Sequence, residues 1–205
     1  KPGGVSGLTR YGYFVAEEWD KRLLYQRGPK IYKEMSEGSP VIGAGLKAWP
    51  SMVLAAGWPL NDADESEQAK ALTTWTEECF DDMYGAFSDR LVAAFSCRIF
   101  GFSIMEPIYK IRAGANDDPY FDSRYDDGRI GWADWASRAQ ETIEGWEWDD
   151  NGRAVVALQR APTDSQQRRI KLRNVMHFVV GGQRKGNPEG ISVLRNSFEP
   201  YYMFK

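Results

Sequence analysis

Apolar residues along this chain follow two rhythms, helical spacing up to about residue 100 and strand-like alternation or short apolar runs after it. "VAEEWDKRLL" puts Val15, Trp19 and Leu23 on one helical stripe, and "PKIYKEM" resumes the pattern after the breaker "RGP" at 27–29. "SPVIGAGLKAW" predicts a helix with Ser39 as N-cap and Pro40 in its first position. Pro50 and Pro59 bracket "SMVLAAGW", which reads as a helix end running into a short strand at about 55–60. "NDADESEQAKALTTWTEECFDDMYGAF" has an acidic first turn (Asp62, Asp64, Glu65, Glu67) and Leu72, Trp75, Phe80 and Met83 as its buried candidates. "SDRLVAAFSCRIF" predicts a further helix, capped by Ser88 and ended at Gly101.

The second half changes character. "FSIMEPIYKIR" is strand-like, and the following "AGANDDPYFDSRYDDGR" is long for a connection. "ETIEGWEW" and "RAVVALQRA" flank Asn151-Gly152, a hairpin signature, with Trp146 and Trp148 on one face of the first strand. "IKLRNVMHFVV" reads as one more strand. Asn187 as N-cap, Pro188 at the first position and Glu189 in the first turn predict a closing helix whose stripe is Ile191, Leu194, Phe198 and Tyr201. The expected fold is α+β, with a helical N-terminal layer at residues 1–101 and a mainly antiparallel sheet with a closing helix at 102–205.

With 42% hydrophobic and 14% aromatic residues in 205, the chain can bury a substantial core. Its two cysteines, Cys79 and Cys97, are too few for a disulfide framework and sit in apolar helical stretches that suit buried thiols. No apolar run reaches the length of a membrane span, and the start lacks a signal peptide's apolar segment, so a soluble, cytosolic protein is the default expectation. A first residue other than Met and a helical pattern still running at Lys205 suggest part of something longer. The net charge of −3 conceals a split: residues 1–150 hold 16 Lys+Arg against 26 Asp+Glu, residues 151–205 hold 10 against 3. Such polarity suits docking to another copy or to a polyanion, or reflects clustering on solvated faces.

Candidate chemistry is sparse. The single histidine, His177, lies in an apolar strand with no announced nucleophile, as a hydrogen-bonded sheet residue would. Asn116, Asp117, Asp118, Asp122, Asp126 and Asp127 crowd one loop but miss the EF-hand order, which leaves a solvated acidic loop or an adventitious cation. Trp-flanked Asp134 and Glu147 raise an alternative, a carbohydrate-active or metal-assisted hydrolase, although strand alternation turns Glu147 away from both its Trp neighbours. "GGQRKGNPEG" lacks the phosphate-loop order, and Glu189 would repel an anion. A DNA-binding module using the basic C-terminal part is a third reading.

Five stretches in order, "EMSEGSPVIGAGLKAWPSMVLAAGWPL", "GFSIMEPIYK", "QETIEGWEWDDNG", "RNVMHFVVGG" and "GNPEGISVLRNSFEPYYMFK", give a chain that resembles the portal proteins of tailed bacteriophages, closest to the Mu-like kind. Pro188, Gly190, Ser192, Leu194, Arg195, Phe204 and Lys205 fill that family's pattern of P-x-G-x-S-x-L-R and an aromatic-rich helix ending in Phe-Lys. The resemblance implies a portal wing-like fold, with stem, clip and crown beyond residue 205. It also implies a structural ring subunit, typically one of twelve, in the virion at one capsid vertex and assembled in the host cytoplasm. The expected partners are the major capsid protein, the large terminase motor, head-completion or connector proteins, and double-stranded DNA passing non-specifically. It implies no catalytic site, cofactor, metal or membrane. Arg168, Arg169, Lys171, Arg173, Arg184, Lys185 and Arg195 are the candidates for inter-subunit or DNA-facing contacts.

Overall fold

The computed structural model describes residues 6–163, 166–181 and 184–205. The chain opens with a hairpin, β1 (Arg10–Tyr11) and β2 (Phe14–Val15), turned at Gly12. The helix expected from Val15 to Leu23 is absent: Val15 ends a strand, Trp19 is exposed, and only a 3-10 turn forms at Lys21–Leu23. Tertiary partners override the local spacing here. Tyr13 accepts a backbone hydrogen bond from Trp146 at 2.8 Å, and Glu17 and Glu18 are drawn to cations far along the chain.

Helix α1 (Arg27–Gly38) begins inside the supposed breaker, because a first-turn proline gives up a donor that the helix leaves unused anyway. Helix α2 (Pro40–Ala55) starts as expected, with Ser39 accepting from the Ile42 N–H at 3.4 Å, but it continues through Pro50. The strand expected at 55–60 does not form. Helix α3 (Glu67–Asp81) is capped by Ser66, so of the four predicted acidic residues only Glu67 lies in its first turn. Leu72 is 55% exposed, whereas Ala69 and Cys79 face inward and Met83 is buried just beyond the helix end.

The next helical run is two pieces, α4 (Phe87–Phe95) and α5 (Cys97–Phe100). Its N-cap is Ala86 without a side-chain bond, not Ser88, and Gly101 ends it at φ +96. Phe80 and Phe87 meet each other at a ring-centroid distance of 4.2 Å, and they meet Trp132 and Trp135 at 5.2 to 5.8 Å, which fastens α3 and α4 to the sheet.

Strands β3 (Phe102–Ala113) and β4 (Asp126–Arg138) form a long antiparallel pair with register shifts at Ile108/Tyr109 and Ile111/Ala113. The predicted hairpin is present as β5 (Ile143–Trp148) and β6 (Ala154–Gln159), with Gly152 at φ +76. The stretch read as one strand, "IKLRNVMHFVV", divides between sheets. β7 (Arg168–Lys171) joins β6, a 3-10 turn follows at Leu172–Asn174, and β8 (Met176–Val179) joins β3. The sheets are thus β1-β2, β4-β3-β8 and β5-β6-β7, all antiparallel. β8 covers β3 only from Phe102 to Met105, which leaves one side of β3 open where Pro107 lacks a donor.

The closing helix is shorter than expected. Residues 187–190 form a turn, a 3-10 turn spans Arg195–Ser197, and α6 runs only from Phe198 to Met203. Gly190 at φ +59 is incompatible with a helix interior, and Ile191 instead donates to the Val180 carbonyl at 2.7 Å. The architecture is α+β. Two cores among the described residues each join the chain's beginning to its later parts: Val15 with Phe102, Ile104, Ile143, Trp146 and Ala157, and Leu23, Tyr32 and Met35 with Leu194 and Phe198. Each large apolar side chain so buried contributes about 1.5–3 kcal/mol.

Candidate functional site

The segment 187–195 is a crossing point of strands, helices and cores. The Asn187 carboxamide accepts from the Glu189 N–H at 2.9 Å and donates to the Gly190 carbonyl at 3.2 Å, and so fixes the turn from both sides. Val180 donates to the Gly101 carbonyl at 2.8 Å and Val193 to the Arg98 carbonyl at 3.0 Å. Ser192, 4% exposed, donates its hydroxyl to the Ile99 carbonyl and accepts from the Leu194 N–H at 3.0 Å. These bonds lock the segment onto the α5–β3 junction, where Gly101 permits the close approach. Leu194 and Phe198 then enter the second core.

Behind the turn lies an aromatic stack. Trp146, fully buried, stacks on His177 at 5.4 Å and meets Phe102 edge-on, and its Nε1–H donates to Glu189 Oε1 at 2.9 Å. His177 donates Nε2–H to the Pro188 carbonyl at 2.9 Å, so it is the hydrogen-bonded sheet residue that its strand context predicts. Burial pushes the His177 pKa down. Burial, with the neighbouring Glu18 charge, pushes the Glu189 carboxyl up to about 7 against the lowering effect of the Trp146 bond.

A polar cavity of about 190 Å³ opens beside this turn, lined by Glu17, Glu18, Tyr32, Lys185, Glu189 and Arg195 among others. Lys185, at φ +63, reaches Glu17 at 2.9 Å, and Arg195 reaches Glu18 at 2.5 Å. Tyr32 donates its hydroxyl to Glu18 at 3.3 Å, and burial moves its pKa upward. Glu17 and Glu18 are the residues that sequence reasoning missed. Their partners lie 168 and 177 positions away, so local spacing carried no signal for them.

Six of the seven basic candidates fall in two places. Arg168, Arg169, Lys171 and Arg173 are exposed on or just after β7, an edge strand. Lys185 and Arg195 belong to the cavity, and the Arg184 side chain lies outside the described residues. Part of the charge split is neutralised within the chain, through Arg160–Glu144, Arg169–Glu147, Lys205–Glu34 and the two cavity pairs. Of the motif residues, Pro188, Gly190, Ser192 and Leu194 are buried, Arg195 is half-buried, and Phe204 and Lys205 are exposed.

Carboxylates elsewhere hold structure. Asp134 pairs with Arg90 at 2.5 Å and accepts from the Tyr120 hydroxyl at 3.1 Å, while Glu147 pairs with Arg169. Asp118 caps a 3-10 turn at Pro119–Phe121, Asp122 accepts from the Asn116 N–H at 2.7 Å, and Asp127 pairs with buried Arg112 at 2.8 Å. Among the described residues no group of three His, Cys, Asp or Glu is arranged to hold a metal ion, and no helix is long and apolar enough to cross a membrane. Cys79 is buried and Cys97 half-buried, both free thiols outside any disulfide.

Beyond the local bonds of Asn187 and Ser192, the interactions at the joint run between distant parts of the chain, as in a framework element. A family model described as the portal protein of Mu bacteriophage matches residues 29–205, from the first turn of α1 to Lys205. The chain belongs to this family of phage portal structural proteins. Comparison with curated proteins gives no match.

Proposed function

We propose that the chain forms the wing part of a portal ring subunit, with 1–101 and 102–205 as its helical and β-rich portions. The ring, of about twelve copies by the family resemblance, sits at one capsid vertex and passes double-stranded DNA during packaging and ejection. It offers attachment to the major capsid protein, the terminase motor and the head-completion proteins, and it assembles in the host cytoplasm before incorporation into the virion. The family match over 29–205 carries this reading. The Pro188–Arg195 motif supports it, because its residues knit α5, β3, β8 and α6 into one framework.

The exposed basic edge at Arg168, Arg169, Lys171 and Arg173 is the surface we assign to a neighbouring subunit or to DNA, with Arg184, Lys185 and Arg195 nearer the joint. Light scattering and electron microscopy of the purified full-length subunit test the reading, and closed rings are expected. A monomer at every salt concentration overturns it. Arg168→Glu with Arg169→Glu is expected to lower ring yield while duplex DNA binding stays weak and salt-sensitive. Unchanged ring yield removes the basic edge from the interface.

A further inference from the structure

The turn of the β1–β2 hairpin and the segment 21–27 form one wall of a groove of about 500 Å³, and residues of the β5-β6-β7 sheet form the other. Three aromatic rings line it, Tyr13, Phe14 and Tyr25, exposed by 55%, 42% and 41%. Their backbone is held in place. The Tyr13 carbonyl accepts from the Trp146 N–H at 2.8 Å, and Trp148 Nε1–H donates to the Gly12 carbonyl at 3.2 Å. Tyr25 has φ +59, a left-handed conformation that is costly for a bulky residue, and its carbonyl accepts from the Gly28 N–H at 3.2 Å. Its ring stands edge-on to Phe14, 5.0 Å between centroids, and remains open to solvent.

The charged walls of the groove are Lys21, Arg27 and Glu144. Glu144 is neutralised within the chain, accepting from Arg160 and from Gln167 at 2.7 Å each. Lys21 and Arg27 are exposed, and neither has an ion-pair partner among the described residues. Leu158, another wall residue, pairs with Arg169 across the β6–β7 register, and Val156 pairs with Lys171, so both cations stand on the same side of the sheet as that wall. Arg169 is paired with Glu147, whereas Lys171 has no ion-pair partner among the described residues. The groove and its continuation along β7 therefore carry surplus positive charge beside exposed rings.

A positive surface alone attracts any polyanion, and exposed rings alone attract any apolar partner. Together they match a strand that repeats phosphates along its backbone and offers flat bases with free faces. A duplex meets only the first condition, because its base faces are stacked on one another. We propose that this groove binds a single-stranded nucleic acid segment, with bases stacked on Tyr13 and Tyr25 and phosphates met by Lys21, Arg27 and Lys171. The site lies within one chain and needs no ring, so its failure leaves the ring reading untouched. Its walls from Tyr13 to Arg27 precede the stretch that the family model matches.

Fluorescence anisotropy of the purified full-length subunit with a labelled oligodeoxythymidine of about 16 nucleotides tests the proposal. Binding is expected to weaken as salt rises and to exceed that of a duplex of equal length by about tenfold or more. Tyr13→Ala and Tyr25→Ala are each expected to weaken it about fivefold or more with the salt slope unchanged, while Tyr13→Phe and Tyr25→Phe bind like the parent, because stacking needs the ring and not the hydroxyl. Lys21→Gln with Arg27→Gln is expected to lower the salt slope by about 1.4.

Duplex bound as tightly as the single strand, or alanine variants that bind like the parent, overturns the proposal and leaves a basic surface without stacking. Polyglutamate that competes as well as the oligonucleotide at equal charge overturns it in favour of an acidic protein segment. Circular dichroism verifies the fold of each variant. Should an alanine variant fail to fold, photo-crosslinking of the unaltered protein to an oligonucleotide carrying iododeoxyuridine takes its place. Adducts on Tyr13 or Tyr25 are expected, and their absence from both overturns the proposal.

Discussion

Gly190 lies against Gly101 so closely that a Cβ on Gly190 would overlap the Gly101 carbonyl oxygen and stand 2.7 Å from that of Val180. Both glycines have positive φ, +59 and +96, so space and conformation exclude a side chain at either position. Gly190→Ala is expected to cost about 3–5 kcal/mol, from overpacking and backbone strain together. Gly114→Ala is the control: its φ is +73, but a Cβ there meets nothing within 4 Å, so only about 1–2 kcal/mol of strain is expected. Equal losses for the two variants in urea denaturation would sink the close-approach account.

Much of this fold could be read from spacing. Ser39 and Pro40 start α2, Gly101 ends the helical part, and Asn151-Gly152 turns the β5–β6 hairpin because each residue acts on its immediate neighbours. What could not be read was decided at long range. Glu17 and Glu18 lie within the helical stripe of Val15, Trp19 and Leu23, yet Lys185 and Arg195 claim their carboxylates and no α-helix forms there. Asn187-Pro188 has the composition of a helix start, but Gly190 must cross Gly101, and the chain stays non-helical until Leu194 has reached the second core. The candidate basic residues were legible as a charge bias. Which of them meet carboxylates of the same chain depended on β7 lying beside β6, which places Arg169 within reach of Glu147.

The Glu189 carboxyl gives the joint a pH dependence of defined sign. Burial pushes its pKa up to about 7 in the folded chain from an ordinary 4.5, so between these the folded state holds the proton more tightly than the unfolded one. Stability from this group therefore falls as pH rises from about 4.5 to 7, by on the order of 3 kcal/mol. His177, with its pKa lowered by burial, contributes the opposite slope just below its ordinary value. Glu189→Gln retains an acceptor for Trp146 and removes only the titration, so it should be more stable than the parent above pH 7 and keep the His177 slope. Thermal unfolding from pH 5 to 8 measures this, and parallel profiles for the two proteins would contradict it.

The Arg195–Glu18 pair, 23% and 19% exposed at the side chains, is screened by solvent in part. Arg195→Met is expected to cost about 1 kcal/mol, less so in high salt. A double-mutant cycle with Glu18→Gln measures the coupling between the two, and a coupling indistinguishable from zero at low salt would remove the pair from the account of the joint.

Lys110 and Asp82 form a far more buried pair, 3.0 Å apart with side chains 1% and 3% exposed. Lys110 also donates to the Asp82 and Asp122 backbone carbonyls, and Asp82 accepts from Ser123 Oγ and the Arg124 N–H, each at 2.7 Å. Burial alone would raise the Asp82 pKa, but the Arg124, Ser123 and Lys110 bonds outweigh it and hold the carboxyl below its ordinary 3.8. A depressed folded pKa means that the stability is complete above the unfolded value and is lost as pH falls through the folded one. Asp82→Asn strands a buried ammonium and should cost about 3–5 kcal/mol. Lys110→Met should cost less, since Asp82 keeps its bonds to Ser123 and Arg124. The double variant should fall well short of the two losses added together, and additive losses in chemical denaturation would mean that the pair acts as two independent groups.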